Sequence, residues 1–234
     1  MILTAHQPTY LPWLGLFNKI FYSDKYVFFD DVQYLPKEWM NRNKIKTNDD
    51  KVIYLTVPVI KKNFLNKKTN KIEINNSLPW RRKHLKSLEM SYKKTKHFDK
   101  YFYKFEEIYK NEWKYLSDLN LFILKIILDI LEINIKIVNL SELKLKGRKS
   151  DLIINMCKKL NASTFIFGEQ GLNYADLDKF KKNNIKVIFQ KYKHPTYHQI
   201  GKKFISHLSI LDLIFNCGDE SKEIINNKNN KLIK

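Results

Sequence analysis

The sequence predicts an α/β fold: a Rossmann-like, doubly wound parallel sheet of about five strands. Three observations predict it. Five short apolar runs, at residues 2–5, 26–29, 135–138, 164–167 and 185–189, have strand length. They lack polar alternation, as strands covered on both faces do. Segments with helically spaced apolar residues separate most of them.

The elements follow in order. Residues 2–5 run into His6-Gln7-Pro8, so a buried strand gives way to a loop. Pro8 and Pro12 keep helix out until Trp13. Leu14, Phe17, Ile20 and Phe21 then recur at helical spacing, which turns Asn18 and Lys19 to the outer face. The second strand ends at Asp30-Asp31. Residues 34–51 read as polar loop, 52–59 as an edge strand containing Pro58, 61–71 as a basic turn region and 71–74 as a short strand. Leu78-Pro79-Trp80 opens a helical block with pieces at 81–94, 98–109 and 112–131. Leu152, Ile153, Met156 and Leu160 mark the inner face of a helix at 150–160. The fourth strand stops at Gly168, and a short helix at 176–182 leads to the fifth. A last helix at about 208–215 has Ser206 or Ser209 as its candidate cap and stops near Gly218. The expected organisation is an α/β core at 1–31 and 132–218. A β-rich, then largely helical insertion at 32–131 separates strands two and three. A polar, frayed tail covers 219–234.

The 234 residues are 44% hydrophobic and 14% aromatic, enough for one large core. The formal charge of +19 suits an anionic partner. Only four of the 43 basic residues are arginine (Arg42, Arg81, Arg82, Arg148), and nucleic-acid readers favour its bidentate fork. Lysine, asparagine and isoleucine are over-used together, which also fits an A/T-rich genome. Nucleic acid is therefore not the expected partner. No run reaches the ~20 apolar residues of a membrane span. The start of the chain lacks a basic leader, so the cytoplasm is the expected location. Cys157 and Cys217 give neither a zinc pattern nor a disulfide framework.

Ligands of doubly wound sheets lie beyond the carboxyl ends of the strands, where the strand order reverses. The strand ends here carry His6-Gln7, Asp30-Asp31, Gly168-Glu169-Gln170 and Gln190-Lys191-Tyr192, all expected on one rim. His6 is the candidate acid, base or phosphate-facing group, against a plain capping role. Asp30 and Asp31 offer a second base, with one of the two facing the site. Arg42 suits bidentate phosphate binding, with Lys37 and His84 as further candidates. Gln7, Asn43, Gln170 and Tyr192 are candidates to orient a substrate, and Trp13 is a stacking or packing residue. His194 and His198 are four apart, but Pro195 opposes a helix and no carboxylate completes the set. No metal is therefore expected, and residues 191–199, with Tyr192 and Tyr197, read as a substrate loop. The chain has no Walker loop, GxGxxG, GxSxG or HExxH pattern, which counts against hydrolases and zinc proteases.

The motif residues form one ordered series. It runs from His6-Gln7-Pro8 through Pro12-Trp13-Leu14-Gly15, Lys19-Ile20, Asp24, Asp30-Asp31-Val32-Gln33 and Arg42-Asn43 with Ile45. It continues with Pro58-Val59, Tyr174, His194-Pro195 with Tyr197 and Gln199, and Leu208-Ser209-Ile210-Leu211-Asp212-Leu213 with Asn216 and Gly218. Over nearly the whole chain this series resembles the WbqC-like protein family. The resemblance implies bacterial surface-polysaccharide clusters, especially O-antigen of lipopolysaccharide, often near amino-sugar enzymes. A remoter similarity is to the nucleotidylyltransferase superfamily: a strand, a His-containing loop, a helix with Lys19 and a second strand ending in Asp. The turn from Ser206 to Ser209 resembles that superfamily's Ser-rich turn. Its HxGH signature is incomplete here, since Tyr10 replaces the second His or the second His is absent.

Residues and resemblance together lead to an expected transferase. It moves an acyl or aminoacyl group to the amine of a nucleotide-linked sugar. His6, Asp30 or Asp31 is the base, and Arg42 with Lys37 or His84 holds phosphate. The donor stays open among acyl-CoA, a formyl-folate and ATP with Mg²⁺, and a homodimer is left open. One alternative is an ATP-dependent adenylyl or nucleotidyl transferase using His6 and Ser206 or Ser209. The other is a non-enzymatic basic binding module.

Overall fold

The computed structural model describes residues 1–226, with residue 65 in its backbone alone, and the backbone of 231–233. In chain order the first elements are β1 (Ile2–His6), α1 (Leu14–Phe21), β2 (Lys25–Phe28), β3 (Arg42–Lys46) and β4 (Val52–Thr56). Three longer helices follow, α2 (Trp80–Tyr92), α3 (Phe98–Lys110) and α4 (Leu116–Ile130). Then come β5 (Lys136–Asn139), α5 (Leu140–Leu143), α6 (Lys149–Lys159), β6 (Thr164–Phe167), α7 (Leu177–Lys182) and β7 (Lys186–Lys191). The last elements are α8 (Ile210–Cys217), α9 (Ser221–Ile225) and β8 (Lys231–Ile233).

Five strands form the expected parallel sheet, in the order β5-β2-β1-β6-β7, and β8 adds antiparallel to β7. The winding reverses between β1 and β6, so these two strands flank the switch point. Helices cover both faces. Leu3, Val27, Phe165 and Phe167 pack with α6 and α7 through Ile153, Met156 and Phe180. Tyr26 and Phe28 pack on the other face, with α1, α8 and the helices between β2 and β5. Side chains alternate along a strand, so Thr4 and His6 share the α1 face.

The structure departs from the sequence reading in four places. The loop expected at 34–51 contains β3, which pairs antiparallel with β4 in a separate two-stranded sheet. Its residues, Arg-Asn-Lys-Ile-Lys, carry no apolar run, because polar side chains there are buried against backbone rather than solvent. The strand expected at 71–74 is a short turn at Thr69–Lys71 plus isolated bridges, Val59↔Ile74 and Glu73↔Tyr115. The tail from Asp219 is not frayed over its described part. Ile225 of α9 is fully buried, and its carbonyl accepts a bond from Asn18 Nδ2 at 3.0 Å. Finally, Asn18 and Lys19 do not face solvent; they are 1% and 3% exposed. Helix α1 lies between the sheet and α9, so it has no solvent face at these positions. No helix among the described residues is long and apolar enough to cross a membrane, and Cys157 and Cys217 are both free.

Candidate functional site

The backbone of β1 fixes where the sheet opens. Ile2 O accepts from Asp24 N and His6 O from Phe29 N, each at 2.9 Å, so even-numbered carbonyls point to β2. Odd-numbered ones therefore point to β6. The β1–β6 register ends at Thr4↔Ile166, one step too early to include Ala5. Beyond that rung the two strands part. The Ala5 carbonyl accepts instead from the Lys19 ammonium of α1, at 2.9 Å. Gly168 continues β6 on the same side as His6. A side chain there would meet no other atom within 4 Å, so the crevice is open at this point.

His6 stands at the crevice mouth, half-buried. Its Nδ1 lies 2.8 Å from the Gln7 carbonyl, which only accepts, so Nδ1 carries the proton and Nε2 keeps its lone pair. Thr9 Oγ1 donates to the same carbonyl at 3.1 Å. Burial, with the Lys19 charge beside it, lowers the His6 pKa to about 4 against the opposing pull of the Gln7 bond. Burial alone lowers that of Lys19 to about 7. The pair is thus a neutral imidazole with a free ring nitrogen and an ammonium close to its titration point. Such a pair can accept a proton and face an anion at neutral pH.

Comparison with known proteins places the chain. The model of the WbqC-like protein family matches residues 7–224. The chain belongs to this family. It is 31% identical over 221 residues to "Uncharacterized protein Rv1507c" of Mycobacterium tuberculosis, covering 94% of this chain and 95% of that protein. No solved structure matches.

Several residues of this WbqC-like chain that the sequence marked as site candidates instead hold the fold. Asp30 is 6% exposed and accepts from Ser141 N at 2.9 Å and Ser141 Oγ at 2.6 Å, which fixes the start of α5. Asp31 accepts from Lys68 Nζ at 2.7 Å and Asn70 Nδ2 at 3.4 Å. Asn43 Nδ2 donates to the Tyr10 and Leu11 carbonyls at 3.2 and 2.7 Å, pinning the loop after β1. Tyr197 donates to the buried Asp212 at 2.9 Å. Ser209, fully buried, caps α8 by accepting from Leu211 N at 3.3 Å. His84 is 6% exposed, and its Nδ1 accepts from the Tyr10 hydroxyl at 2.8 Å. The Thr56 carbonyl accepts from the His84 ring, and Tyr109 lies 2.6 Å from the Tyr10 hydroxyl. Burial lowers the His84 pKa to about 4, so the ring is neutral at pH 7, buried between Tyr10, Tyr109 and Trp80.

Arg42 and Lys37 also leave the rim. Arg42 belongs to β3, its guanidinium lies 5.5 Å over the Tyr54 ring, and Nη2 donates to the Lys37 carbonyl. The residues that do gather at the sheet's carboxyl edge are His6, Gln7 and the exposed Gln170. Trp13 and Tyr192 form a second, aromatic group, edge to face at 5.4 Å. The Trp13 ring lies over Gly15, where a Cβ would come within 2.2 Å of it. The Tyr192 hydroxyl is buried without a hydrogen-bond partner among the described residues.

The sequence reading missed Lys19 as a site residue and gave Gly168 a place on the rim but no role. A signal for Lys19 existed: a lysine within a short, otherwise apolar crossover helix has little solvent to reach. Gly168 gave none beyond its place at a strand end.

Proposed function

We propose that this WbqC-like protein is a transferase that acylates or aminoacylates the amine of a nucleotide-linked sugar, in bacterial surface-polysaccharide assembly. The observation that carries this reading is the His6–Gln7 bond, which leaves Nε2 as an unprotonated base at the switch point. The family resemblance supports the pathway and the class of substrate.

The chemistry follows from that base. The sugar amine attacks the carbonyl of an activated acyl donor, and a C–N bond forms. His6 Nε2 takes the amine proton as the bond to the leaving group breaks, with the electron pair going to the leaving group. The proton then passes from His6 to that group. The neutral resting state of His6 suits this role, since an imidazolium has no lone pair to offer.

The adenylyl-transfer alternative loses one of its two serines. Ser209 is buried as a helix cap, whereas Ser206 stays half-buried beside His207.

The test is a thermal-shift panel of nucleotide-linked amino sugars, ATP with Mg²⁺, acyl-CoAs and RNA, followed by mass spectrometry of mixtures with each donor class. Stabilisation by an amino-sugar nucleotide and an acylated sugar product are expected. A shift with ATP alone would replace this reading with adenylyl transfer, and a shift with RNA alone with a binding module.

A further inference from the structure

We propose that Lys19 is the anion anchor of the crevice, binding the diphosphate of the nucleotide-linked ligand where the sheet parts between β1 and β6. The inference rests on the transferase reading for its ligand, and on the geometry of Lys19 for its site.

Lys19 is 3% exposed, yet no carboxylate among the described residues pairs with it. Among the described residues its acceptor is the Ala5 carbonyl, so a group with three donors has one partner there. A buried ammonium without a counter-ion is unfavourable, and an arriving anion offsets part of that cost. The position fits the task. The Ala5 carbonyl marks the first rung that β6 does not fill, and Gly168 leaves space on the far side. The nearest acids of the strand ends do not compete, because Asp30 and Asp31 are engaged with Ser141, Lys68 and Asn70. Arg42, the guanidinium expected to hold phosphate, is turned to Lys37 and Tyr54.

Binding through Lys19 has a proton signature. Burial holds the free ammonium near its titration point, at about 7. A bound diphosphate favours the charged form and raises that value, so above pH 7 the ligand brings a proton with it. The titratable groups facing Lys19 from the sheet are His6 of β1 and Tyr26 of β2, whose hydroxyl donates to the His6 carbonyl at 3.4 Å. Tyr26 is held protonated by burial, and His6 is neutral at this pH. Lys222 and Glu223 sit on α9, the helix packed against α1, and neither pairs with Lys19. Lys19 is therefore the group that takes up the proton.

The experiment is calorimetric titration of UDP and of inorganic pyrophosphate at pH 8, in two buffers of different ionisation enthalpy. Wild type, Lys19→Arg and Lys19→Met are compared. Wild type is expected to take up close to one proton per UDP bound, UDP being fully ionised at pH 8, with pyrophosphate read for affinity alone. Lys19→Arg should bind within a few-fold of wild type with no proton uptake, because arginine stays charged. Lys19→Met should bind at least tenfold more weakly. Equal UDP affinity in wild type and a folded Lys19→Met would overturn the proposal. So would the absence of proton uptake in wild type, a result that needs no variant to fold. No binding of UDP or pyrophosphate to wild type would also reject it. Failure of the transferase reading leaves a different trace: UDP binds through Lys19, but an attached amino sugar adds no affinity and no acylated product forms.

Discussion

The Lys19 ammonium lies 2.9 Å from the Ala5 carbonyl, on the side of β1 from which β6 has just departed. A side chain from a crossover helix thus completes a strand whose neighbour has ended. This sets a buried cation at the switch point, beside a histidine held in its Nε2-basic tautomer by the Gln7 carbonyl.

The base role predicts a defined kinetic loss. His6→Ala should lower turnover by ~10²-fold or more while the circular dichroism spectrum and melting point stay near wild type. Steady-state rates with the substrate found in the ligand panel check this. Because burial holds His6 near pKa 4, its ring-proton NMR signals should titrate near pH 4 rather than 6.5. Unchanged turnover in the variant would remove His6 from the chemistry.

His84 gives a prediction about stability. Its pKa is about 4 in the fold and 6.5 when exposed. Between these values the unfolded chain binds the proton and the folded chain does not, so stability falls as pH drops from 6.5 to 4. The span corresponds to on the order of 3 kcal/mol for this buried ring. Asp212 runs the other way: burial raises its pKa to about 6, so protonation relieves its cost as pH falls below 6. A global melt sums these terms with those of His6 and His194, whose pKa values burial also lowers to about 4. Ring-proton NMR titration separates them, and the His84 signal should not move above pH 5.5.

The same network predicts the cost of losing one hydroxyl. Tyr10→Phe leaves His84 Nδ1 buried without a donor, at a cost of about 1–3 kcal/mol. Urea unfolding at pH 7 measures it. Ligand affinity measured below the unfolding transition should be unchanged, which distinguishes a core network from a phosphate site.

Gly15 and Trp13 form a tight pair. Gly15→Ala would place a methyl group 2.2 Å from the indole, so the ring must shift and its contact with Tyr192 must break. Alanine ordinarily favours a helix by about 1 kcal/mol over glycine. Here overpacking of about 1–3 kcal/mol should outweigh that gain, and the melting point should drop.

Much of this architecture was legible in the sequence, because apolar runs and helical spacing report burial directly. The five parallel strands, α1 and α3 follow from them, and His6 at a strand end follows from the fold class; the cap of α8 was narrowed to Ser206 or Ser209, and it is Ser209. Polar burial was not legible. The β3 segment lacks an apolar run, so it reads as loop, although Asn43 and Lys46 are 3% and 0% exposed. Lys19 looks like a surface lysine until α9 covers α1. Asp30, Asn43, His84, Tyr197 and Ser209 have the residue types of a binding site, yet each holds a backbone turn or a buried partner. Residue type alone does not separate these uses. The position of the partner does, and that is a tertiary fact.

The central claim is that the crevice between His6 and Gly168 receives a nucleotide-linked sugar. The most direct test is calorimetric binding of a nucleotide-linked amino sugar to wild type and to Gly168→Val. The Gly168 backbone, at φ −71° and ψ 169°, accepts any side chain, and nothing lies within 4 Å of the added Cβ. The unliganded variant should therefore melt within a degree or two of wild type. The account predicts at least tenfold weaker binding, because the side chain occupies the ligand's space. Equal affinity in the two proteins would contradict it.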